Sequence, residues 1–208
     1  RGLGDVYKRQ VNVPIIGINS SLPEERGFSA AVRIDDKQGS ELAARHLITL
    51  GHRDIAYIRT NREVTLHFSV QGRFESFMAC CEGNGVTPRV LVTDESKNNI
   101  SKVVTQLLSL DHMPTAIACQ EDGIAVPLLF QLERNGLTVP NDISIIGYDD
   151  SVYARDLGLT TVRQKPVEMA QEAARMTLDL IEERPLEQPF KTFPAQLIVR
   201  STTARHRQ

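Results

Sequence analysis

The sequence predicts an α/β fold built on parallel sheets with helices on both faces. Three observations predict it. From Gly51 onward, short apolar runs alternate with longer helical patterns; most of those runs are apolar at nearly every position rather than every second one; and turn-forming residues separate many of them. Strands that are apolar throughout are buried on both faces, as in a parallel sheet covered by crossover helices.

The elements follow in order. Ile55-Ala56-Tyr57-Ile58 is the first run of the series, introduced by the turn-like Gly51-His52-Arg53-Asp54. A helix is expected from about Gln71 to Glu82, where Phe74, Phe77 and Met78 stand at i, i+3, i+4, with Gly83 and Gly85 to stop it. Val90-Leu91-Val92 is the next strand. Residues from about Asn98 to Leu110 form a helix carrying Ile100, Val103, Val104, Leu107 and Leu108 on one face. Ala116 to Cys119 is a strand, and Gly123 to Asn135 a helix closed by Gly136. Within that helix Pro127 lacks an N–H and crowds the Gly123 carbonyl, so a local distortion is expected. Ile143 to Gly147 completes a β-α-β-α-β-α-β series.

Two flanking pieces do not extend that sheet. Before it, Ile15 to Ile18 and Ala31 to Ile34 read as strands, and Asp36 precedes a helix running to Leu50. After it, Pro166 to Glu183 is a helix with Val167, Ala170, Ala174, Leu178 and Ile181 as its stripe. Pro185 and Pro189 mark a turn, and Ala195 to Val199 is a last strand. A second lobe made from both ends of the chain accounts for these pieces. It takes residues 11–50 and 164–190, leaving 51–163 and 191–208 to the first, with crossings near Leu50, Gln164 and Phe190. Three crossings make a hinge, and hinged lobes close around ligands. Residues 1–10 lack clear periodicity and are read as a non-native or disordered start.

Composition narrows the function. With 24 Lys+Arg against 26 Asp+Glu, the net charge of −2 offers no basic surface for nucleic acid. Cys80, Cys81 and Cys119 form no CxxC or Cys/His cluster, so neither a disulfide framework nor a metal site is expected. No apolar run approaches the roughly 20 residues of a membrane helix, and no export signal opens the chain, so a cytoplasmic setting is expected. The motifs GxGxxG, GxxxxGK[ST], GxSxG and HExxH are absent. No catalytic residue and no cofactor is therefore assigned.

In open parallel sheets ligands bind beyond the carboxyl ends of the strands. That rule selects Thr60 and Asn61, Thr93 and Asp94, Gln120, Glu121 and Asp122, and Tyr148, Asp149 and Asp150. Carboxylates and amides suit a neutral polyol, with the tyrosine ring stacking on an apolar sugar face. Several have plainer readings. Asp122 reads first as the N-cap of the helix after it, accepting from Ile124 or Ala125 N–H. One of Asp149 and Asp150 is expected to face the ligand while the other orders the loop, and Glu121 could be simply solvated.

Particular blocks go further: Val13-Pro14-Ile15-Ile16, Ile34-Asp35-Asp36 with Gly39, Leu50 to Ile58, Pro114 to Ile117, Val139 to Asp150, and Leu159 to Gln164. In this order they resemble the effector-binding core of the LacI/GalR family of bacterial transcriptional regulators, from Val11 to about Thr203. The resemblance implies a periplasmic-binding-protein-like core of two lobes that forms a homodimer and closes on a small effector, often a sugar. It also implies an N-terminal truncation. The N-terminal lobe, made of residues 11–50 and 164–190, is incomplete, and the helix-turn-helix headpiece that reads operator DNA lies outside this chain, which should not bind operator by itself. A periplasmic sugar-binding protein of a transport system is the alternative with the same architecture.

Carried over residue by residue, Arg73 matches the family's effector-binding arginine in Arg73-Phe74-Glu75-Ser76-Phe77, with Ser76 where the family has Gly. An arginine fork can meet two hydroxyls at once. Asp149 matches the first Asp of the family's paired-Asp block, and Gln164 the polar residue after its Thr-Thr-Val-Arg strand. Glu121 replaces a usual Asn, which turns a donor–acceptor into a pure acceptor and favours a donor-rich ligand. Asn19 stands where many members have Asp. The loop from Ser151 to Leu159 is shorter than usual and lacks the common Pro-Pro.

Overall fold

The computed structural model describes residues 13–20, 27–60, 68–93 and 100–206. Residues 1–10, Asn61, Asp94 and the expected helix start at Asn98 lie outside the described residues. The chain divides into two compact units, each taken in turn: residues 1–35 with 165–194, and residues 36–164 with 195–208.

The smaller unit holds a parallel three-stranded sheet in the order β1 (Ile16–Ile18), β2 (Ala30–Ile34), β8 (Phe190–Phe193). Its long helix α6 (Pro166–Ile181) begins with Pro166, whose missing N–H costs nothing in a first turn. Met169, Ala173 and Met176 form the buried face of α6. Strand β8 had no counterpart in the sequence reading. Its four residues lie between Pro189 and Pro194, and its pairing with β2, Ala31 opposite Phe190 through Ile34 opposite Phe193, joins segments far apart in the chain.

The larger unit is a six-stranded sheet in the order β4-β3-β5-β6-β7-β9. These are β3 (Ile55–Thr60), β4 (Arg89–Thr93), β5 (Ala116–Cys119), β6 (Ser144–Asp149), β7 (Thr160–Arg163) and β9 (Gln196–Ile198). The first five run parallel, and β9 closes one edge antiparallel to β7. Ile55 to Ile58, Ala116 to Cys119 and Ser144 to Tyr148 are buried at every position, the continuous burial of central parallel strands. Edge strand β4 instead exposes Val90 and Val92.

Helices α2 (Phe68–Glu82), α3 (Ile100–Leu108), α4 (Asp122–Arg134) and the short α5 (Val152–Asp156) connect these strands, after α1 (Asp36–Thr49) opens the unit. Ile58, Leu107, Ile117, Leu128, Leu132 and Ile145 are fully buried in a shared core, each burial stabilising by about 1.5–3 kcal/mol. Helix α4 runs unbroken through Pro127, so the expected distortion does not interrupt it; the proline leaves the Gly123 carbonyl without its usual acceptor role. Helix α5 replaces what the sequence suggested was a loop, and Ser151 caps it by accepting from Ala154 N–H at 3.2 Å.

The boundaries between units also differ from those expected. The first crossing lies at Asp35–Asp36 rather than near Leu50, and the last at Pro194–Ala195 rather than near Phe190. The reason is the buried face of α1. That face carries the small residues Gly39, Ser40, Ala43 and Ala44 beside Leu47, and α1 packs against α2, which places the helix in the larger unit.

Candidate functional site

All five parallel strands of the larger unit end at one edge, where β3, β5, β6 and β7 deliver Thr60, Gln120, Asp149 and Gln164. Two glycines let the backbone of β6 and α1 carry this edge. A methyl at Gly39 would overlap the Tyr148 hydroxyl, and one at Gly147 would overlap the Asp122 carboxylate. Both positions therefore bring polar side chains closer than any other residue would permit.

Arg73 is the hub, only 7% exposed although it is an arginine. It projects from the buried face of α2, where Ser69, Arg73 and Phe77 follow at four-residue spacing. Its Nε donates to Asp36 Oδ1 at 2.7 Å. Its Nη1 donates more loosely, at 3.4 Å each, to the Gln120 carbonyl and to Asp149 Oδ1. Its guanidinium lies 3.9 Å from the centroid of the Tyr148 ring. Burial works against the arginine's charge, yet Asp36 and then Asp149 outweigh it and hold Arg73 above the ordinary guanidinium range.

Asp36 is saturated. Beyond Arg73, its Oδ1 accepts from the Tyr148 hydroxyl at 3.3 Å and its Oδ2 from the Ser69 hydroxyl at 2.5 Å. Burial, followed by the Asp36 charge, pushes the Tyr148 phenol well above its usual range, so it remains protonated and a donor. Tyr148 had been expected to offer its ring face to a ligand. The ring is 3% exposed and the guanidinium occupies a face of it, so its role is to seat Arg73.

Asp149 is the more open acid. Its side chain is 34% exposed, and Oδ1 accepts from Gln164 Nε2 at 2.5 Å as well as from Arg73. Burial lifts its carboxyl to about 6, against the pull of Arg73 and Gln164, with Asp122 and Glu121 adding to the rise. Its Oδ2 takes no partner among the described residues, and neither does Arg73 Nη2. Gln120, by contrast, is buried, its side-chain carbonyl accepting from Thr60 N–H at 3.3 Å.

Asp150 faces the other way, wholly buried among Arg200, Arg163 and Arg155 at 2.6, 2.6 and 3.4 Å. Asp122 is not the helix cap the sequence suggested. Glu121 takes the N-cap position with no side-chain bond to the helix, and Asp122 becomes the first helical residue. Its carboxylate turns instead to β7 and α5, accepting from Thr161 Oγ1 and Ser151 N–H at 2.8 Å each. Both donors outcompete a cap because Gly147 lets the carboxylate lie over β6. Asn19 belongs to the smaller unit, with φ of 48° and its Oδ1 accepting from Ile34 N–H at 3.2 Å.

The larger unit thus brings together Arg73, Tyr148, Asp149 and Gln164, with Glu121 near enough for its charge to be felt at Asp149. Sequence reasoning missed Asp36 and Ser69. A signal existed: a helix face burying Ser69 and Arg73 together demands a carboxylate, and Asp36 opens the preceding helix. Among the described residues no group of His, Cys, Asp and Glu is arranged to hold a metal, and no helix is long and apolar enough to cross a membrane. Cys80, Cys81 and Cys119 are free and buried, and burial pushes Cys81 up to about 12 and Cys119 higher.

The family model of the periplasmic binding protein-like domain matches residues 44–203. The HTH-type transcriptional regulator GalR of Escherichia coli (strain K12) is 32% identical over 193 residues, covering 90% of this chain and 54% of the relative. The arabinose metabolism transcriptional repressor of Geobacillus stearothermophilus is 33% identical over 206 residues, covering 93% and 54%. The chain therefore spans about half the length of these relatives. Among solved structures, a LacI transcriptional regulator from a Rhodococcus species superposes with a TM-score of 0.80 at 30% identity, covering 96% of this chain and 72% of that one. A LacI family transcriptional regulator from Enterococcus faecium with bound ribose gives 0.80 at 31%, covering 93% and 72%.

Proposed function

Because this chain belongs to the LacI family of transcriptional regulators, we propose that it is the effector-binding and dimerisation core of a bacterial DNA-binding repressor. Its effector is a small polyol, a sugar first of all, bound at the carboxyl ends of the strands of the larger unit. The observation that carries this reading is the set of polar groups left open around Arg73. Arg73 Nη2 can donate to a hydroxyl oxygen, while Asp149 Oδ2 and the Glu121 carboxylate, neither with a partner among the described residues, can accept hydroxyl protons. Gln164 adds an amide to the same effector, and Tyr148 serves it by holding Arg73. The ribose in the Enterococcus faecium relative supports a sugar as the ligand class.

Binding without turnover is the expected outcome, in keeping with relatives that are transcriptional regulators. Operator contact falls to a helix-turn-helix headpiece outside these 208 residues, in keeping with the net charge of −2. An effector that fits one arrangement of the dimeric core better than another shifts their populations, and such coupling typically amounts to about 1–3 kcal/mol. The cytoplasm, where operator DNA lies, is the corresponding location. The test is a thermal-shift screen of the chain against ribose, arabinose, hexoses and nucleosides. One of them should raise the melting temperature, and Asp149→Asn or Gln164→Ala should lose that rise. A flat response to the whole panel, or a rise that both variants retain in full, overturns the assignment.

A further inference from the structure

The turn after β6 is held in a conformation that its residues do not favour. Asp149 has φ of 115° and Asp150 φ of 55°, consecutive left-handed positions filled by residues other than glycine. Such a conformation persists only where its surroundings impose it. Here four contacts do so. Asp150 Oδ2 accepts from Arg163 Nε and its Oδ1 from Arg200 Nη2, both at 2.6 Å. Asp150 N–H donates to Thr161 Oγ1 at 3.4 Å, and Ser151 N–H donates to Asp122 Oδ2 at 2.8 Å. Arg200 is itself fixed to the neighbouring strand end, its Nη1 donating to the Leu159 carbonyl at 2.7 Å.

We propose that Asp150, with Arg163 and Arg200, is a positioning clamp: it imposes the left-handed turn and so aims the Asp149 carboxylate at Arg73 and Gln164 before any effector arrives. The clamp acts from both sides of Asp149. Asp150 follows it in the chain, and Arg163 pairs opposite it in the sheet and immediately precedes Gln164, the amide that holds Asp149 Oδ1. Asp150 is a positioning residue, with no carboxylate oxygen left for a ligand. The inference rests on the functional reading above only in taking Asp149 to face the effector; the geometry of the clamp stands without it.

The test follows the titration of Asp149 by carboxyl-carbon NMR in the chain, in Asp150→Asn and in Arg200→Gln, each well below its melting transition. The groups that bear on Asp149 are Arg73 on α2, Gln164 after β7, Asp122 at the start of α4, Glu121 just before it, and Tyr148 on β6. A released carboxylate moves into water and its midpoint falls by about one unit in both variants. A through-space effect of the lost charge alone would lower the midpoint in Asp150→Asn and raise it in Arg200→Gln. Opposite shifts, or none, therefore overturn the clamp. Should Asp150→Asn not fold, Arg200→Gln decides by the sign of its shift. Calorimetric titration with D-ribose is the second arm, with about tenfold weaker binding expected in both variants. If the unmodified chain takes up no ribose, that failure belongs to the functional reading, and the NMR arm still decides the clamp.

Discussion

Asp149 and Asp150 are adjacent copies of one residue and behave as opposites. Asp149 is one-third open, meets one shared guanidinium and one amide, and burial lifts its carboxyl to about 6. Asp150 is closed to water, yet Arg200 and Arg163 overcome the burial and draw its carboxyl below the usual range. Exposure alone predicts the reverse order. What decides is how many committed positive charges each acid has, because desolvation without a dedicated counter-ion raises a carboxyl and a dedicated counter-ion lowers it. The protein keeps its saturated acid for structure and its unsaturated one for exchange with a guest.

That contrast can be broken or sharpened in steps. Asp150→Asn should cost about 3 kcal/mol in chemical denaturation at neutral pH, since it strands arginines built around a buried charge. An acid held low stabilises above its unfolded pKa, so this cost should fade as pH drops through the carboxylate range. Asp122→Leu should cost about 2 kcal/mol by orphaning Ser151 N–H and the Thr161 hydroxyl, measured the same way. Asp149→Asn should go in the other direction. An acid whose pKa rises from about 4 unfolded to about 6 folded opposes folding once ionised, fully above pH 6 and not at all below about 4. The variant should therefore gain up to about 1 kcal/mol at pH 7, allowing for the water that reaches a third of the side chain, and lose that gain by pH 4. Glu121→Gln should leave stability within about 0.5 kcal/mol, since its carboxylate takes no partner among the described residues, while changing the effector-induced thermal shift.

What the sequence made legible follows the same division between local and distant causes. Ile55 to Ile58, Ala116 to Cys119 and the run ending at Gly147 announced themselves because continuous burial leaves continuous apolarity. The acids at the strand ends were legible from the parallel topology. The short α5 was not, since five residues carry too little periodicity to register, and only the Ser151 cap hinted at it. Strand β8 was hidden because its partner β2 lies in a distant segment, and the change of unit at Asp36 depended on how closely α1 could lie against α2. Asp122 looked like a cap on local grounds, and two donors brought in by the fold, from β7 and from α5, redirected it.

The three cysteines have a practical consequence. With thiols closed off and held in the unreactive protonated form, this polypeptide can accept a fourth cysteine at an exposed surface position and be labelled there alone by a maleimide dye. A fluorescent reporter for whatever small molecule it recognises could be made by a single substitution, with every native sulfur left in place.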